Sequence, residues 1–475
     1  MINTRIYNVL KGLEKPILNR FIKFIDSPYH NRSESVSHLT HLLIDTIKSS
    51  KVLPAKEKIW KKVQNNGPYD DLKFRKLCND VLERFENFLV IEQLEASTLL
   101  KTNLLLDALK NHNLELIVEK HISKSSRQID READQSSEYY LQKYYYERSL
   151  QNLKTNYEKK ENIKSYLSNY KYEDLSKDLD TFYVIEKLRH ATDILTWRKM
   201  YKMDIEIDFG FTIELIEKYD LKQYPAVNIY LLMFKILNDE ADSGSYLTLK
   251  KISIKFIDIF PIRERREILD VLLNYCLKQC NLGDISFYNE LLEIYDWGID
   301  SEILLENNIL SPTSFRNYIL SGLRIGEFNR VESFIHNKSL LLESSKRENA
   351  INFNLARLYF HKKNFDEALK SLSKVNYDDI WYHLSSRIQL LAIYYELDEI
   401  NVLMTSIDSF STFLRREKNV QNMRTNSYLN FTKFLKSMVN NKLRKDRLEK
   451  LKNEIVSEYN VVNKPWLLEK IDELL

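Results

Sequence analysis

Asn349–Val375 reads NAINFNLARLYFHKKNFDEALKSLSKV, and the fold of the chain turns on this stretch. It carries two apolar patterns at helical spacing, one on each side of Lys363. Small residues at Ala356 and Ala368 let two helices approach, and Tyr359, Phe365 and Leu372 fill the seam between them. The unit recurs in both directions. Tyr394 follows Tyr359 by 35 residues, with Ile400, Leu403 and Ile407 in the second-helix positions. Phe328 precedes Phe365 by 37 residues, inside IGEFNRVESFI. Further upstream, Asn228–Ile259 and Leu269–Tyr295 read as helix pairs with a looser spacing of about 41 residues.

The segment resembles a tetratricopeptide repeat, whose helix pairs recur at about 34 residues. Leu355 and Ala356 stand at its Leu-Gly pair, Tyr359 at the first-helix aromatic, and Phe365 at the aromatic that opens the second helix. Ala368 and Leu372 stand at its small and large apolar positions. Asn352 departs from the usual Trp, Lys363 from the turn Gly and Ile380 from the closing Pro. The resemblance covers about 310–410 and extends as repeat-like helix pairs, an α-solenoid, over 206–475. It implies a peptide-binding groove lined by first helices, with Phe353, Arg357, Phe360 and His361 in one unit and Ile388, Ala392, Tyr395 and Glu396 in the next. The Lys/Asn clamp with which some family members grip a terminal carboxylate is not reproduced. The resemblance therefore implies a peptide held by aromatic contacts and Arg357; the alternative is that these side chains pack against a neighbouring repeat. Over its whole length the chain also resembles a group of long helical bacterial proteins sharing an S-P-Y-x-N turn, here Ser27–Asn31, and a W-L-L-E-K ending, here Trp466–Lys470. That resemblance implies no activity.

Composition agrees with an all-α chain. Its 475 residues include only 8 Gly and 8 Pro, too few for a turn-punctuated β fold or for flexible linkers. Hydrophobic residues make up 44% and charged residues 29%, enough to bury a core. The 71 basic and 68 acidic residues leave a net charge of +3, no strong attraction to nucleic acid or membrane. Cys78, Cys276 and Cys280 form no disulfide framework, the N-terminus lacks a continuous apolar core, and no apolar run approaches the roughly 18 residues that cross a bilayer. The expected setting is the cytoplasm.

Three regions are expected: an N-terminal helical domain over 1–95, long helices over 96–205, and repeat-like pairs over 206–475 with a basic cap. In the first, Ile17, Leu18, Phe21, Phe24 and Ile25 share one helix face. Val36, Leu39, Leu42, Leu43 and Ile47 mark the next helix, capped by Ser33 or Ser35. Ala55–Val63 is a short helix, Asn65–Pro68 a turn, and Phe74, Leu77, Val81, Phe85, Phe88 and Leu89 line a long helix. The middle region has neither Gly nor Pro, which predicts two long antiparallel helices turning near Ser168–Ser176. Its tyrosines 139, 140, 144, 145 and 146 fit a packing stripe, or a platform for stacking a ligand.

Signatures of common chemistry are absent. There is no phosphate-binding loop, nucleophile elbow, zinc-protease motif, EF-hand or kinase set, so no enzyme activity, cofactor or metal is expected. His38, His41 and Asp45 could face a metal from one helix, or simply lie on its surface. Cys276 and Cys280 at i, i+4 could sense redox state, or be small core residues. The turn before Lys73, Arg75 and Lys76 resembles a helix-turn-helix, yet Asp80, Glu83 and Glu86 follow on the exposed face and repel phosphates. Between Arg415 and Lys452, twelve basic residues face three acidic ones. Arg444, Lys445 and Arg447 are the candidate polyanion contacts there, against the alternative of a solvated capping face. The expected function is a non-enzymatic protein- or peptide-binding scaffold; the alternative is a nucleic-acid-linked regulator using the basic C-terminal helices or the N-terminal element.

Overall fold

In the computed structural model of the chain, the residues described are 4–64, 67–112, 114, 117, 129, 135–157, 172–203, 205–206, 209–238, 243–377, 380–416 and 422–475. They form 22 α-helices and one two-stranded hairpin. The chain divides into two compact units, Met1–His190 with Glu206–Asn228, and Ala191–Ile205 with Ile229–Leu475. The sequence had suggested boundaries at 95 and 205. The helix Tyr172–Tyr201 contributes residues to both units.

The first unit contains α1 (Arg5–Lys11), α2 (Lys15–Ile25), α3 (Glu34–Lys48), α4 (Lys56–Val63), α5 (Asp71–Ala96), α6 (Thr98–Asn111), α7 (Ser137–Tyr157), the first part of α8 (Tyr172–Tyr201), α9 (Gly210–Lys218) and the start of α10 (Pro225–Asn238). Its core is the apolar stripe read from the sequence: Leu18, Phe21, Phe24, Ile59, Phe74, Leu77, Val81, Phe85 and Phe88 are all buried in one cluster. Phe21 meets Phe85 edge-on at 5.0 Å. Ser33 caps α3 by accepting from Val36 N. Leu89 departs from expectation and is 45% exposed. Ser137 donates to Glu186 and Lys143 pairs with Asp178, contacts that run in opposite directions along α7 and α8 as in an antiparallel pair. Their expected turn lies outside the described residues, except that 172–176 already belong to α8. Asn65 and Asn66 of the expected N-terminal turn also lie outside.

The second unit continues with α11 (Ser243–Phe256), α12 (Ile262–Asn281), α13 (Phe287–Asp300), the strands β1 (Leu305–Glu306) and β2 (Ile309–Leu310), α14 (Pro312–Arg324), α15 (Phe328–Lys338), α16 (Ser344–His361), α17 (Phe365–Leu372), α18 (Ile380–Glu396), α19 (Ile400–Arg416), α20 (Asn422–Asn440), α21 (Lys445–Ser457) and α22 (Lys464–Leu474). From α11 to α22 each helix packs against the next, and α14, α16 and α18 also pack in succession. One turn joins the pairs four times. At Gly283, Gly326, Lys363 and Asp398 the backbone enters the left-handed region. In each case the following N–H reaches back to a carbonyl five residues earlier: Asp284 to Gln279, Glu327 to Gly322, Asn364 to Tyr359, Glu399 to Tyr394. This is the Schellman closure of a helix. Lys363 therefore does what the turn glycine would do, at φ +57°. Gly322 is needed for a different reason: a Cβ there would lie 2.4 Å from Val331 Cγ2, where α14 crosses α15.

Candidate functional site

A cavity of about 320 Å³ lies within the second unit, against α14, α16 and α18 and closed by α22. From α16 come Arg357, Phe360 and His361, at i, i+3 and i+4, one face of a helix. From α18 come Ile388, Gln389, Ala392 and Glu396, again at helical spacing. Arg324 enters from the end of α14 and Lys363 from the turn after α16. The far wall is Trp466, Glu469 and Lys470, three residues of the W-L-L-E-K ending. Trp466 Nε1 donates to Glu396 at 2.9 Å. Lys470 is only 5% exposed and lies 3.0 Å from Glu396 and 2.8 Å from Glu473. These bonds hold α22 to α18.

Arg357 is the unusual group. Its guanidinium lies over the Phe353 ring, 4.4 Å from the ring centre, and 5.9 Å from that of Trp381. It has no hydrogen bond or ion pair with any described residue, and its Nη1 is buried without a partner. Burial and the nearby Arg316 cation push its pKa down to about 10. Arg316 approaches the same Trp381 ring, at 5.5 Å, so two cations flank one indole. Gln389 is the second orphan: it is 9% exposed and its Nε2 has no partner among the described residues. His361 lines the cavity and is itself exposed to solvent. The protein packed around it, then Arg324 and Arg357, push its pKa down to about 4, so it is neutral at pH 7.

Of the residues proposed from the sequence, Arg357, Phe360 and His361 line this cavity together with Ile388, Ala392 and Glu396. Phe353 does not: it is 1% exposed, below Arg357, with Trp381 and Tyr382 edge-on. Tyr395 packs behind the wall, edge-on to Trp466 at 5.5 Å. Arg324, Gln389 and the α22 residues were missed. A Gln inside the apolar run Ile388–Ile393 is the signal that could have found Gln389.

Arg444 and Arg447 are exposed and line a shallow groove with Arg415, Lys433 and Lys436. Lys445 instead donates to the Leu475 carbonyl oxygen. Lys436, Lys442 and Lys452 are engaged by Asp408, Asp398 and Asp472; the Arg424 side chain lies outside the described residues. At the start of α5, Arg75 pairs with Asp71 at 2.7 Å and Lys73 with Asp70 at 3.8 Å. His41 bonds Asp26 at 2.8 Å, and among the described residues no group of side chains could hold a metal ion. Burial pushes the Cys276 thiol up to about 12 and Cys280 up to about 11, away from the reactive thiolate. Tyr140 and Tyr146 are buried in the packing of α7, whereas Tyr145 is 45% exposed. Among the described residues no helix is long and apolar enough to cross a membrane. Comparison with family models, curated proteins and solved structures finds no match to the chain.

Proposed function

We propose that residues 206–475 form a tetratricopeptide-like α-solenoid, and that the chain is a non-enzymatic cytoplasmic scaffold that takes part of a protein or peptide into the Arg357 cavity. The observation that supports this reading is Arg357 itself. Arg357 is half-buried, but its Nη1 is fully buried with no carboxylate or other partner among the described residues, and a folded chain gains little by keeping such a group unless something else completes it. The recurring left-handed turns at 283, 326, 363 and 398 support the repeat reading, with spacings that shorten toward the tetratricopeptide period. A second reading, a nucleic-acid-linked regulator, is favoured by Arg444 and Arg447 converging with Arg415 on one groove.

Affinity capture from native lysate tests both, with and without nuclease. The scaffold reading expects a defined protein that survives nuclease, is lost with Arg357→Met, and is retained by the Arg444→Glu/Arg447→Glu variant. Nuclease-sensitive recovery that vanishes in the second variant and not the first would transfer the function to the basic groove.

A further inference from the structure

We infer that the Arg357 cavity binds a phosphoryl dianion, carried on a partner's side chain or free as a small phosphate. This deepens the reading of the cavity as the recognition site and rests on it. The charges come first. The lining holds four cations, Arg324, Arg357, Lys363 and Lys470, and two carboxylates, Glu396 and Glu469. Lys470 already lies against three carboxylates, Glu396 at 3.0 Å, Glu469 at 3.7 Å and Glu473 at 2.8 Å. With Glu473 beside Lys470 the net surplus is one positive charge, but Arg324, Arg357 and Lys363 are three cations without an ion pair to any described residue. A phosphoryl group, at about −1.5 to −2 near neutral pH, pairs with two of them at once, whereas a carboxylate pairs with one.

The donors come second. Arg357 lies over the Phe353 ring at 4.4 Å, and its Nη1 is buried with no partner among the described residues, so guanidinium N–H groups are left to grip an oxyanion. The Gln389 amide adds a neutral donor that has no other use among the described residues. His361, neutral at pH 7, offers a ring N–H beside them. Size comes third. About 320 Å³ admits a phosphorylated side chain or a small phosphate, and excludes a helix.

The test is thermal unfolding of the full chain in rising inorganic phosphate, with ionic strength held constant by chloride. Acetate is the control anion. A short peptide with a central phosphoserine, and its glutamate counterpart, form the second arm. The expected result is a Tm that rises with phosphate and not with acetate. Arg357→Met abolishes the rise, while Arg357→Lys and Gln389→Leu each weaken binding about tenfold or more. Phosphoserine peptide acting below the phosphate concentration assigns the group to a partner side chain; the reverse order assigns a free phosphate. A rise that is equal in Arg357→Met, or equal with acetate or the glutamate peptide, overturns the inference, as does no rise. A captured partner that depends on Arg357 but is insensitive to phosphatase overturns the phosphoryl assignment and leaves the recognition reading standing. A partner indifferent to Arg357 removes both.

Discussion

The start of α5 and the wall of the α16–α18 cavity both gather basic side chains, and they treat them in opposite ways. At α5, Arg75, Lys73 and Lys56 face Asp70 and Asp71, which also sit at the positive end of the helix. Arg75, Lys73 and Lys56 each have a counter-charge in Asp70 or Asp71, and Asp70 caps the helix as well. In the cavity, Arg357, Arg324 and Lys363 have none among the described residues, and the two carboxylates present are taken up by Lys470. A self-neutralised cluster is explained by folding. A cluster left open invites an outside anion, and on that difference rests the recognition reading proposed above.

The comparison can be broken at its strongest point by removing the platform under Arg357. Phe353→Ala deletes a ring that is 1% exposed and should destabilise the protein by about 3–5 kcal/mol, close to Phe21→Ala in the other unit. Denaturant titration of both variants checks this. Gly322→Ala should cost about 1–3 kcal/mol, since its methyl would collide with Val331 and force α14 from α15. At α5, Asp70→Ala should cost about 1 kcal/mol, because it removes a helix cap. Lys363→Gly should raise stability by a few tenths to about 1 kcal/mol, relieving a left-handed lysine; a loss instead would deny that this turn plays the glycine role.

The smallest effect concerns pH. His361 has its pKa pushed down from the ordinary 6.5 to about 4, by the protein around it and by Arg324 and Arg357. The other charged groups at the cavity are Lys363, Lys470, Glu396 and Glu469. The unfolded chain then binds the proton more readily, so this contribution is full above pH 6.5 and is lost as pH falls toward 4. Urea midpoints at pH 7 and pH 4.5 should fall further apart for the wild type than for His361→Gln.

Much of the fold was legible because it is written locally. The pair at 349–375 carries its own seam residues, and the 35- and 37-residue spacings read from Tyr359 and Phe365 are the spacings of the turns at 363, 398 and 326. Lys363, which looked like a departure from the repeat pattern, keeps the backbone of the glycine it replaces. The hairpin at 305–310 went unseen: Asn307 and Asn308 both adopt positive φ, a two-residue turn that Asn tolerates, but the strands are too short to show alternation. The cavity was half legible. Arg357, Phe360 and His361 share one helix face, so helical spacing finds them. Arg324, Gln389 and Trp466 come from other helices, and only tertiary packing brings 324, 389 and 466 to one place. Phe353 was assigned to the groove because periodicity gives the face of a residue and not how deep it lies.

If Arg357 serves recognition, the fold should not depend on it. The direct measurement is the unfolding free energy of Arg357→Met against wild type, by urea titration without added ligand. The variant should be as stable as wild type or up to about 1 kcal/mol more stable, because a half-buried cation with an unpartnered Nη1 is replaced by an apolar chain. A loss of about 2 kcal/mol or more, comparable to the loss from Phe353→Ala, would instead make Arg357 a structural residue.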